Sequence, residues 1–86
     1  MEIKKKVILR NVAGEYMLVP VGETVFEFNG IFLLTSSGKQ LWEKICDGAE
    51  AKELVDFLIE EYGIDKAMAE NDVVAFIARL ESYGIV

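Results

Sequence analysis

The apolar pattern of this chain changes period once, at Thr35-Ser36-Ser37. Before that point, from Val7 to Leu34, short runs rich in Val, Ile, Leu, Phe and Tyr are broken at Ala13-Gly14, Val21-Gly22 and Asn29-Gly30. Such runs are strands joined by turns. After it, apolar residues recur at three- and four-residue spacing, as they do along amphipathic helices. A length of 86 residues suits one domain, so both halves must share a core. The predicted fold class is α+β, a small antiparallel N-terminal sheet of three or four strands followed by three helices, with residues 1–86 as a single domain.

The strands are expected near Lys6–Val12, Glu15–Val21, Thr24–Phe28 and Ile31–Leu34, with Pro20 closing its strand or lying on an edge. Asn29-Gly30 fits a two-residue type I′ turn, which requires positive φ at both positions. That turn sets Phe28 opposite Ile31 and Phe26 opposite Leu33 on one face, and Glu27 opposite Phe32 and Val25 opposite Leu34 on the other. The first face is wholly apolar and is expected to pack on the helices. On the mixed face, Phe32 and Leu34 serve either as further core or as a surface for a partner.

Ser37 with Gln40 fits a capping box opening the first helix, which runs to about Cys46 with Leu41, Trp42, Ile45 and Cys46 on its apolar stripe. The second helix runs from about Glu50 to Tyr62 and stops at Gly63; Asp65 caps a third, which stops at Gly84 and leaves Ile85-Val86 to fold back. The third helix carries two stripes. Met68 or Ala69, Val73, Phe76, Ile77 and Leu80 have core spacing. Ala67, Asn71, Val74 and Ala78, flanked by Ala75, form a second stripe of mostly small residues. That stripe fits a helix seated in a wide groove of its own domain and equally a surface that a partner's backbone approaches closely.

With no histidine and one cysteine, the chain can assemble neither the common zinc sites nor a Ser-His-Asp or Cys-His centre. No metal, cofactor or catalytic residue is expected, and carboxylate pairs such as Glu60-Glu61 read as solvated helix surface. Cys46 is expected to be a buried structural thiol in a reducing cytoplasm. The apolar run after Lys4 to Lys6 ends at Arg10, too short for a signal core, and no stretch reaches the roughly 20 apolar residues of a membrane span. Net charge is −6. Residues 1–40 hold five basic and four acidic groups, whereas residues 41–86 hold four and eleven, so the helical half carries −7. Such a surface repels nucleic-acid phosphates.

Several segments together resemble the PqqD-like proteins. They are Tyr16-Met-Leu-Val-Pro-Val-Gly-Glu23, Phe28-Asn-Gly-Ile31, and Leu34-Thr-Ser-Ser-Gly38 leading to Leu41-Trp42-Glu43. Asp47-Gly48, Leu54 to Tyr62, Asp72-Val73, Phe76-Ile77, Leu80 and Gly84-Ile85-Val86 follow in the same order. Thr35 stands where the family usually has Asn, and either residue can cap a helix. The resemblance implies a winged-helix-like domain that recognises ribosomally made, post-translationally modified peptides. Such a domain is no catalyst. It binds the leader segment of a precursor and presents it to a maturation enzyme, such as a radical S-adenosylmethionine enzyme or a leader peptidase.

The implied mechanism is strand addition to the last strand's edge, in a cleft against the third helix. Carried onto this chain, the edge comprises Ile31, Phe32, Leu33 and Leu34, and the opposite wall comprises Ala67, Asn71, Val74, Ala75 and Ala78. Lys66 and Arg79 read as solvated surface, and the resemblance also offers them for steering acidic leader residues. A winged-helix fold also suits DNA binding or a purely structural interaction subunit, and an open strand edge can pair with a second copy as a homodimer. The acidic third helix argues against DNA. If the small stripe is the wall, Val74→Glu blocks leader binding without unfolding the domain, which a titration of the variant measures directly.

Overall fold

The computed structural model describes residues 1–22 and 31–86. The elements run β1 (Val7–Val12), β2 (Glu15–Pro20), β3 (Phe32–Leu34), α1 (Ser36–Cys46), α2 (Ala51–Tyr62) and α3 (Lys66–Ser82). The strands form an antiparallel sheet in the order β1-β2-β3. The expected strand Thr24–Phe28 and the Asn29-Gly30 turn lie outside the described residues.

β1 and β2 pair from Val7↔Pro20 to Val12↔Glu15, leaving a two-residue loop. Both loop residues have positive φ, Ala13 at 53° and Gly14 at 83°, as a mirror-image hairpin turn requires. The Asn11 side chain accepts a hydrogen bond from the Gly14 amide at 3.1 Å. Pro20 has no amide to donate and is the last residue of β2. One residue on, the Val21 amide donates to the Lys6 carbonyl at 3.1 Å, so backbone pairing extends slightly beyond both strands.

β3 pairs with β2 through Tyr16↔Leu34, Met17↔Leu33 and Leu18↔Phe32. Because side chains alternate across a sheet, Leu18, Phe32, Leu34 and Tyr16 share the face under the helices, and Met17 and Leu33 share the other. This reverses the face expected from sequence. Phe32 and Leu34 are in the core, whereas Ile31 is 64% and Leu33 48% exposed. Hairpin pairing groups residues by face; which face meets the helices is decided by register with β2.

The core joins Leu18, Phe32 and Leu34 to Leu41, Trp42 and Ile45 of α1, Leu54 and Leu58 of α2, and Val73, Phe76 and Leu80 of α3. Phe32 stands edge-on to Phe76 and Tyr83, at centroid distances of 6.3 and 4.9 Å. α1 is capped by Thr35, whose hydroxyl accepts from the Gly38 amide at 3.0 Å. The Ser37–Gln40 box expected from sequence does not form, because the helix starts at Ser36 with Thr35 as its cap; Gln40 instead accepts a hydrogen bond from the Tyr62 hydroxyl and ties α1 to the end of α2. α2 has a Glu50–Glu53 capping box and ends at Gly63 in the left-handed region, φ 65°. Asp65 caps α3, accepting from the Met68 amide at 2.8 Å. Beyond Gly84, Ile85 is fully buried, and its carbonyl accepts from the Lys4 amide at 2.7 Å.

Ala13 is the non-glycine residue with positive φ among the described residues, a conformation that costs a side chain with Cβ roughly 1 kcal/mol. Asparagine tolerates it better. Ala13→Asn is expected to stabilise the domain by about 0.5 kcal/mol, read as a higher urea midpoint at unchanged slope. An unchanged or lower midpoint would show that the turn stores no such strain.

Candidate functional site

β3 is three residues long and has β2 on one side; among the described residues no strand covers its other edge. α3 runs past the same strand. Phe76 and Tyr83 meet the Phe32 ring from α3 and the turn after it. The Arg79 guanidinium lies over that ring at 4.3 Å and donates to the Leu33 carbonyl at 3.2 Å.

Two adjoining hollows open here. One, of about 320 Å³, lies between the start of α1 and α3, with Thr35, Gly38, Leu41, Asp72, Ala75 and Arg79 in its walls. The other, of about 500 Å³, lies at the end of the β2–β3 pair and is lined by Gly14, Tyr16, Leu33, Leu34 and Arg79, among others. Arg79 and Thr35 border both. Gly38 lies in the wall of the first hollow. A Cβ there would lie 3.3 Å from the Thr35 hydroxyl, a tight contact, and 3.5 Å from the Phe76 ring, an ordinary one, so the start of α1 lies close against α3. Together the hollows form a channel of mixed polar and apolar lining with the strand edge along one side, into which an extended segment fits.

The residues expected at the site are distributed unevenly. Ile31 and Leu33 are exposed on the outer face of the edge, whereas Phe32 and Leu34 point inward and offer a partner only backbone. Ala75 lies in the hollow between the start of α1 and α3. Val74, 68% exposed, borders a different, apolar groove of about 380 Å³ against α2, with Val55, Val73 and Ile77. Ala67, Asn71 and Ala78 are exposed on α3. Sequence did not single out Asp72 and Tyr83, and it read Arg79 as solvated surface, with steering of acidic leader residues only as what the resemblance offered. These three share the flank of α3 that leads from Phe76 toward the sheet, at spacings of three, four and seven residues. That spacing was visible, but which flank meets the sheet depends on how α3 crosses it.

Among the described residues, no three His, Cys, Asp or Glu side chains come together as a metal site, and no helix is long and apolar enough to cross a membrane. Comparison with curated protein sequences finds no match. The family described as coenzyme PQQ synthesis protein D, PqqD, matches residues 6–86. The chain belongs to the PqqD family. Among solved structures it resembles TbiB1 in complex with the TbiA(beta) leader peptide, with a TM-score of 0.78 and 25% identity over 99% of this chain and 93% of that one. The likeness confirms the sheet-then-helices architecture of a PqqD-like peptide recognition element.

One position in this PqqD-family chain departs from its expected setting. Cys46, the last residue of α1, is exposed rather than buried. Partial burial, and then the negative charges of Asp47 and Glu43, push its thiol above the ordinary cysteine value. Thiolate is the reactive form, so at about pH 8 Cys46 is expected to react with iodoacetamide more slowly in the folded domain than in the urea-unfolded chain. Added salt should narrow the gap by screening the two carboxylates. Equal folded and unfolded rates, corrected for urea, would contradict this.

Proposed function

We infer that this domain is a non-catalytic adaptor which binds the leader segment of a ribosomally made precursor peptide and presents it to a maturation enzyme. The leader adds as a strand along Ile31–Leu34 and lies in the channel beneath α3. The observation that carries this reading is the outer edge of β3, which no strand among the described residues covers, with the hollows bordered by Arg79 alongside it. Membership of the PqqD family and the likeness to a protein solved with a leader peptide support it. The backbone supplies register, and the exposed Ile31 and Leu33 with the hollow around Ala75 supply contacts for alternate leader side chains. The enzyme served is of the kind that works on such precursors, a radical S-adenosylmethionine enzyme or a leader peptidase.

Charge argues against the alternative use of a winged-helix fold on DNA. α3 and its cap hold Lys66 and Arg79 against Asp65, Glu70, Asp72 and Glu81, an acidic excess that repels phosphate.

The deciding experiment is a two-dimensional amide NMR titration with a synthetic leader from a short precursor encoded beside this chain's gene. Saturable shifts concentrated on Ile31–Leu34 and along α3 are expected, with an affinity of about micromolar. Shifts with duplex DNA, and none with the leader, would overturn the reading. Two variants then locate the wall. Ala75→Glu places a carboxylate in the channel and is expected to weaken binding about tenfold or more. Val74→Glu places it over the α2 groove, and a comparable loss there would move the wall to the exposed stripe of α3.

A further inference from the structure

The Leu33 carbonyl is an acceptor on the strand that an added segment must pair with, and a side chain already holds it. Arg79 donates to it at 3.2 Å while its guanidinium stacks at 4.3 Å on the Phe32 ring. An arginine so placed covers a strand edge that has no neighbouring strand among the described residues, and discourages indiscriminate pairing there. It is also a cation without a carboxylate partner: among the described residues, the ion pairs are those of the chain's terminal amine with Glu50 and of Lys39 with Glu43. Asp72, the acid nearest on the same flank, lies seven residues back, about 10 Å along the helix axis. A segment entering the channel displaces Arg79 from the carbonyl and loses that charge-assisted bond unless it brings an acceptor of its own.

Resting on the adaptor reading above, we propose that Arg79 is the specificity determinant of this edge: a displaceable latch on the Leu33 carbonyl that selects extended peptides carrying an Asp or Glu beside Leu33. The fork of the guanidinium matches a carboxylate in two-point geometry. Its platform on Phe32 is anchored in the core, so the charge stays at the edge after the carbonyl is released. The channel selects for shape, and Arg79 adds one charged position in fixed register with it.

The test pans a random display library of peptides of about 12 residues against the full chain and against Arg79→Met, which keeps an unbranched apolar stem over Phe32 and removes the donors. Amide spectra of the variant check that it folds. Wild type is expected to enrich peptides with one acidic position at constant spacing from apolar positions, and the variant to keep the apolar positions and lose the acidic one. In a selected peptide, Glu→Gln should weaken binding to wild type about tenfold and to Arg79→Met hardly at all. The Gln peptide should also bind the variant more tightly than wild type, because no latch has to be displaced. Selected peptides that shift the amides of Ile31–Leu34 but show no acidic preference, or show it equally with Arg79→Met, would overturn the proposal and leave strand addition standing. Peptides that bind without moving those amides would overturn both.

Discussion

The burial of the Phe32 ring is the contact on which the rest of the molecule depends. β3 has only three residues, too few for backbone pairing alone to hold it. Its place is fixed by an aromatic side chain that is fully buried and meets Phe76 and Tyr83 edge-on, an arrangement that contributes beyond the area it removes from water. Because Phe76 and Tyr83 belong to α3 and the turn after it, the same contact fixes how far α3 stands from the strand. It also supplies the surface on which Arg79 rests. Sheet, helix and channel thus share one anchor, and the alternation of a strand then obliges Leu33, the next residue, to face outward.

An edge built this way reconciles two opposed demands. An open strand edge is a hazard, since any extended chain can pair with it, yet recognition by strand addition requires one. Here the edge is short, its inward side chains are committed to the core, and a cation from α3 occupies one of its acceptors. Net negative charge on the helical half adds a general repulsion toward acidic surfaces.

What the sequence disclosed and what it withheld divide along the range of the interactions involved. Asp65 and Gly63 act on backbone within a turn of themselves, and their capping roles were readable from spacing, whereas the cap of α1 falls on Thr35 rather than on the expected Ser37–Gln40 box. The order of elements followed from a single change of period, and the PqqD-like segments pointed to the family that the comparison bears out. The orientation of Ile31–Leu34 was not readable, because it depends on pairing with β2 across the chain. Gln40 was assigned to a local cap but is engaged by Tyr62 on another helix. Cys46 follows the buried Ile45 at the end of α1, where the helix turns it outward. On α3, small residues drew attention to the exposed stripe, while Arg79, a residue type usually left to solvent, makes the contact with the edge.

The tip of the β1–β2 hairpin also borders the channel, since Gly14 and Tyr16 line the hollow that reaches Leu33 and Arg79. The turn residues themselves, Ala13 and Gly14, are exposed and lie outside the register that holds Phe32. Insertions at such a turn leave the scaffold untouched while adding a flap over one end of the groove. Divergence among descendants of this fold therefore has an inexpensive place to begin: the reach of the site can be remodelled from the hairpin, one residue at a time, with the packing beneath inherited unchanged.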